Sequence, residues 1–152
     1  MAYNLSIAKK VAVISALVEG CSVRSTSRMT GVAKGTILRL LAEVGTACAE
    51  YQDRVMRNLS CKRIQCDEIW AFVGAKEKNV TPANRERGAV GDVWTWVAID
   101  AQTKLVPCWM IGQRDPSTAR DFMDDLAGRL SSRIQLTTDG HKPYWLVGGI
   151  RG

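Results

Sequence analysis

Apolar residues recur at helical spacing through the first third of the chain, and near residue 63 the pattern changes to that of strands. Ile7, Val11, Ile14 and Val18 fall three and four apart and predict a helix over 5–18, capped by Asn4 or Ser6 and ended by Gly20. Ser22 is positioned to cap a shorter helix over 23–29. Thr30-Gly31-Val32 then reads as a tight turn, with Gly31 free to take positive φ. A third helix is expected over 33–44, burying Ile37, Leu38, Leu40 and Leu41 and stopped by Gly45. A further helix over 46–62, with Cys48, Tyr51, Val55 and Leu59 as its apolar stripe, would link this part to the next without a flexible tether.

Residues 63–73 are β-formers with two adjacent acids, Asp67 and Glu68, set among them. An acid in a strand interior is costly to bury unless it has a partner or a metal. A polar surface excursion follows over 74–91. Strands are predicted over 92–100 and 104–112, and Pro107 marks the second as an edge strand or a bulge. Residues 116–130 form a helix with Asp115 as cap, Pro116 in its first turn, and Ala119, Phe122, Met123, Leu126 and Leu130 toward the sheet. Residues 132–139 return as a strand ending in Asp139. Three antiparallel strands, a helix and a parallel strand are the front of a ribonuclease-H-like α/β domain. Its first and fourth strands lie side by side at the centre, which would bring Asp67 and Asp139 together. A Rossmann arrangement is excluded because no glycine-rich phosphate loop follows the first strand.

Charge separates the same two parts. The 152 residues carry a net +6, all of it in the first part: residues 1–66 hold ten Lys and Arg against four Asp and Glu, and residues 67–152 hold eleven of each. The expected organisation is a helical module over 1–60, an α/β domain over 61–144 and an aberrant tail over 145–152. Two short helices across a glycine turn, behind a longer first helix, fit a helix-turn-helix. Its second helix would enter the major groove of double-stranded DNA with Lys34, Thr36 and Arg39, while Arg24 and Arg28 contact the backbone. The rival reading is a helical bundle docked on the second domain with a solvated basic face. Lys76, Lys78, Arg85 and Arg87 in the surface excursion read more simply as a solvated run than as DNA contacts. No stretch resembles a signal peptide or is long enough to span a bilayer, so a cytoplasmic protein is expected. The five cysteines make no CxxC pair and read as buried free thiols rather than a zinc site.

Two ionised aspartates on adjacent strands repel, which raises a pKa or recruits a cation. Magnesium or manganese suits such hard oxygen ligands and supports phosphodiester chemistry. Alternation turns Glu68 to the opposite face, so Asp67 is the expected ligand of the pair. Asp100 reads as a turn acid. His141 could orient a phosphate or the attacking water, or simply cap its own loop, and Lys142 could meet a phosphate. Trp70, Trp94, Trp96 and Trp109 read as packing residues rather than base-stacking platforms.

The blocks over 66–73, 91–100 and 137–144 resemble bacterial insertion-sequence transposases of the DDE superfamily, in the group related to insertion sequence one, and 32–40 resembles that group's helix-turn-helix. The resemblance implies a catalytic domain in which two aspartates and a glutamate hold Mg2+ or Mn2+, cut transposon ends and join the 3′-ends to target DNA. By motif match Asp67 is the first acid and Asp139 the second. The third should be a glutamate on a helix well beyond Asp139, yet no acid follows Asp139. The expectation is therefore a C-terminally truncated transposase, inactive alone in strand transfer, with one sheet face bare unless a partner covers it. Its expected partners are transposon-end DNA and a second copy or a full-length transposase. Two other readings stand beside it: a non-catalytic DNA-binding competitor of a full-length enzyme, and a metal-dependent nuclease completed by a partner chain.

Overall fold

A computed structural model describes residues 5–86, 88 and 90–139 of the chain. The chain divides into two compact units, Met1–Val55 and Met56–Gly152, each with its own hydrophobic core.

The first unit is three helices: α1 (Ile7–Val18), α2 (Val23–Thr30) and α3 (Lys34–Val55). The Ser6 hydroxyl accepts from the Lys9 amide and starts α1, and the Ser22 hydroxyl accepts from the Ser25 amide at 3.1 Å and starts α2. These bonds satisfy amide groups that a helix start leaves unpaired. Gly31 ends α2 in the left-handed region at φ 69°, a conformation that costs a residue with a Cβ. The turn is tied down by side chains. Ser27 donates to the Val32 carbonyl at 2.7 Å, Thr30 donates to the Thr26 carbonyl at 2.7 Å, and the Lys9 ammonium donates to the Thr30 carbonyl.

The core of this unit is Val13, Val32, Ile37 and Leu40, with Leu5, Ile14, Leu17, Val23 and Val44 packed against it. This corrects the face expected for α1. Ile7, Val11 and Val18 are exposed, and only Ile14 of that stripe joins the core. Apolar residues occur on more than one side of α1, so periodicity alone leaves two stripes available, and packing against α2 and α3 selects the one through Val13 and Leu17. On α3, Ile37 and Leu40 are buried as expected, but Leu38 and Leu41 are exposed. Gly45 does not stop the helix, which continues to Val55. A mid-helix glycine costs about 1 kcal/mol relative to alanine, a deficit that the good helix formers around it (Ala42, Glu43, Ala47, Ala49 and Glu50) can carry. The stripe expected beyond Gly45 is not buried: Cys48, Tyr51 and Val55 are exposed, and Arg54 lies over the Tyr51 ring at 5.5 Å.

Among the described residues, the second unit is a mixed four-stranded sheet with one crossover helix. Its strands are β1 (Arg63–Val73), β2 (Gly91–Asp100), β3 (Cys108–Gly112) and β4 (Gln135–Thr138), in the order β3-β2-β1-β4. β1 pairs antiparallel with β2, β2 antiparallel with β3, and β4 parallel with β1. The excursion between β1 and β2 holds one 3-10 turn and a short helix, α4 (Pro82–Glu86). Helix α5 (Pro116–Arg129) makes the crossover from β3 to β4 that a parallel neighbour requires. Asp115 caps it, accepting from the Thr118 amide at 2.8 Å. A Cβ on Gly112 would lie 2.5 Å from the Thr118 methyl, so the bare glycine is what lets the first turn of α5 sit this close to β3. Pro107 is buried immediately before β3, whose pairing begins at Cys108 opposite Ala98. The strand is an edge strand, and the proline lies outside its ladder.

Alternation divides the sheet cleanly into two faces. Ile64, Cys66, Trp96, Ala98 and Cys108 pack against Ala119, Phe122, Met123 and Leu126 of α5. On the opposite face Ile69 is 60% and Ile111 62% exposed, and Trp109 is exposed as well.

All five tryptophans fall in the second part of the sequence, so tryptophan fluorescence reports that unit separately from the helical one. Phe122→Ala is expected to lower its unfolding free energy by about 3–5 kcal/mol, read by fluorescence in urea. Ser22→Ala is expected to cost the helical unit about 1 kcal/mol, read by far-UV circular dichroism, and Ser22→Asp to retain most of the stability.

Candidate metal centre and basic helical surface

The parallel ladder of β1 and β4 runs from Arg63 opposite Gln135 to Cys66 opposite Thr138. Asp139 is the next residue after that ladder, as Asp67 is on β1. The two acids therefore come together across a wide gap in sequence, and the register is the reason. Asp67 is exposed on the open face, with Oδ1 accepting from the Glu68 amide at 2.8 Å. Gln65, Asp67, Ile69, Val97, Ile99 and Asp139 line a groove of about 480 Å³ on that face.

Glu68 alters the expected picture. Its side chain leaves β1 on the face that α5 covers, as alternation requires, and is only 1% exposed. Yet Asp67, Glu68 and Asp139 each present a carboxylate oxygen, and these lie within 4.8 Å of one another. The expectation that strand alternation keeps Glu68 away from Asp67 is corrected at the carboxylates, though it holds at the Cβ atoms. β4 ends at Thr138, so among the described residues no paired strand flanks β1 on that side beyond Cys66, and side chains from both faces can reach the same gap.

Arg114 completes the cluster. Its Nε donates to Glu68 Oε2 at 3.0 Å, and its Nη2 lies 3.5 Å from Asp139 Oδ2. The guanidinium stacks over the Trp94 ring at 5.1 Å. Sequence reasoning missed Arg114. The available signal was topological: β3 runs in the same direction as β1 and β4, so residues that follow β3 and β4 leave the sheet at the same end. Three hard carboxylate oxygens suit Mg2+ or Mn2+. Glu68 Oε1 strengthens that fit, being buried without a hydrogen-bond partner among the described residues, a costly state for a carboxylate oxygen.

Asp100 is a buried turn acid. Its Oδ2 accepts from the Thr103 amide at 2.9 Å and from the Thr103 hydroxyl at 2.7 Å, and these bonds hold it below the usual carboxylate range. Two of the five cysteines are buried thiols as expected. Burial, with the Glu68 carboxylate adding to it, pushes Cys66 up to about 12. Burial and then Asp125, whose Oδ2 lies 3.0 Å from the thiol, raise Cys108. Cys48 is exposed, and Cys21 and Cys61 are partly so.

In the helical unit Arg24, Arg28, Lys34 and Arg39 are all exposed, while Thr36 is half-buried. Arg24 and Arg28 are one turn apart on α2, and Arg28 donates to the Ser25 hydroxyl at 3.1 Å. Lys34 and Thr36 lie in the first turn of α3. In the excursion Lys76 lies 5.0 Å over the Trp70 ring and Arg85 pairs with Glu77 at 2.6 Å. Of the tryptophans, Trp96 is in the core and donates to the Gln113 carbonyl, Trp94 is half-buried, and Trp70 and Trp109 are exposed. His141, Lys142 and Arg87 lie outside the described residues, as do residues 145–152.

Asp115 is held below the usual carboxylate range by hydrogen bonds from Thr118, as Asp100 is by those from Thr103. Burial pushes Asp125 up, but hydrogen bonds from Arg129 and Cys108 outweigh it and leave the carboxyl lowered. A carboxylate depressed on folding contributes stability that is complete above its unfolded value, about 3.9, and lost as pH falls through the folded value. The urea midpoint of the β unit, followed by tryptophan fluorescence, is thus expected to drop steadily as pH is lowered from about 5 toward about 2. Asp100→Asn should flatten that dependence. No protein-family model matches the chain, and no curated protein matches it.

Proposed function

We propose that the chain acts on DNA in the manner of a transposase: a helix-turn-helix unit binds double-stranded DNA, and a ribonuclease-H-like unit carries the acids for metal-dependent strand cleavage and transfer. The observation that carries this reading is the meeting of Asp67 and Asp139 at the end of a parallel strand pair, above an open groove. That geometry is costly as a purely structural device, because it gathers like charges. It is useful where a divalent ion must be held beside a phosphodiester. Magnesium or manganese bound there would activate the attacking oxygen and stabilise the leaving one. Asp67 and Asp139 would hold the ion, and the groove between β1, β2 and β4 would receive the strand. Arg24, Arg28, Lys34, Thr36 and Arg39 would hold the duplex, the arginines on phosphates and the first turn of α3 toward base edges. A cytoplasmic location goes with this reading.

A second reading is a DNA-binding protein without catalysis, a competitor of a complete transposase. One feature favours it: the guanidinium of Arg114 already occupies the acidic cluster as a counter-ion.

Two experiments test these readings. Affinity of the whole chain for duplex DNA should fall steeply with salt, and Arg39→Ala or Lys34→Ala should reduce the log–log slope by about 0.9 for each phosphate that the variant no longer neutralises. An unchanged slope in both variants would count against the helical surface assigned here. Nicking of supercoiled plasmid should require Mg2+ or Mn2+ and fall at least about a hundredfold in Asp67→Asn or Asp139→Asn. Salt-sensitive binding with no metal-dependent nicking would leave the competitor reading in place.

A further inference from the structure

We propose that Glu68 is the third carboxylate of the metal site formed with Asp67 and Asp139, taking the ion through Oε1 while Arg114 holds Oε2. The inference rests on the metal-site reading above and extends it to a residue that strand alternation alone would exclude.

Three independent observations converge. First, oxygens of all three carboxylates fall within 4.8 Å of one another, close enough for one ion to bind all three after small side-chain rotations. Second, the Glu68 side chain is almost wholly buried, and its Oε1 has no hydrogen-bond partner among the described residues. A glutamate present only to neutralise Arg114 would engage the guanidinium with both oxygens, the favoured fork geometry. Here Nε takes Oε2 and Nη2 turns to Asp139 instead, which leaves Oε1 without a partner among the described residues. Third, the formal charges fit. Three carboxylates and one guanidinium sum to minus two, the charge that one divalent cation cancels.

Arg114 is a positioning residue in this arrangement. It lies over Trp94 and fixes the orientation of the Glu68 carboxylate through its hydrogen bond to Oε2, the part that outer hydrogen-bonding groups play at metal sites. The Glu68 side chain reaches the cluster from β1 itself because, among the described residues, the end of β4 leaves the gap open to both faces of the sheet.

The test is manganese binding by the whole chain without DNA. Manganese chloride is titrated and followed by the loss of the free Mn2+ paramagnetic resonance signal, with fluorescence melting alongside. Wild type is expected to bind and to melt higher with manganese. Glu68→Gln should weaken binding about tenfold or more, as should Asp67→Asn and Asp139→Asn, while Glu77→Gln, an exposed acid elsewhere in the same unit, should leave it unchanged. Glu68→Gln strands Arg114 and could unfold the unit, so the double variant Glu68→Gln/Arg114→Gln, which removes both charges together, is measured in parallel and should show the same weakening. Wild-type affinity in both Glu68 variants, with binding lost in Asp67→Asn, would overturn the role of Glu68 and leave the two-aspartate site standing. Absence of manganese binding by wild type would overturn both.

Discussion

The parallel pairing of β1 with β4 is the constraint on which the α/β unit depends. It requires a crossover, and α5 is that crossover. It also places the two strands at adjacent positions in the sheet, so an acid on one meets an acid on the other although the two are far apart in sequence. Among the described residues, the hydrophobic burial that secures the pairing lies on one face, where Trp96 and Phe122 pack with ring centroids 5.9 Å apart. The candidate metal centre lies at the end and on the other face. Core and candidate site are thus divided by the two-residue alternation of the strands.

Glu68 is where that division breaks down. Its backbone belongs to the strand, its stem to the packed face, and its carboxylate to the acidic cluster. Burying an acid this way is favourable only with compensation. Arg114 supplies part of it, and the hydrogen bond it gives Glu68 leaves one oxygen unsatisfied among the described residues. Residues that stabilise the sheet and residues that would hold a metal are consequently not separate sets.

Much of this arrangement was legible in the sequence. The caps at Ser6, Ser22 and Asp115 and the turn at Gly31 follow from local backbone chemistry, which a few residues determine. The pairing of the first and fourth strands, and with it the meeting of Asp67 and Asp139, was an expectation drawn from a fold arrangement rather than from local patterning, and it is corrected in one respect: β4 lies at the edge of the described sheet, not at its centre. What was not legible depended on tertiary choice. Helix α1 carries apolar residues on several sides, and only packing decides that Val13 and Leu17 go inside while Ile7 and Val18 stay outside. Gly45 has a stop signal's identity, but a helix ends where its residues leave helical φ and ψ, and this one does not. Arg114 sits in a short connection with no periodicity to mark it. Its place at the cluster depends on β4 being only four residues long, a limit that no local pattern announces.

That brevity has a consequence of its own. A strand of four residues contributes few ladder bonds, and among the described residues β4 lies at the edge of the sheet with β1 as its neighbour. Regions with few backbone bonds open at lower free energy than the global transition. Peeling away of residues 136–138 would carry Asp139 with it and dismantle the cluster. An ion bridging the acids would therefore act as a clasp that closes the sheet. Occupancy of the site and protection of the β4 amides from exchange would then rise and fall as one quantity.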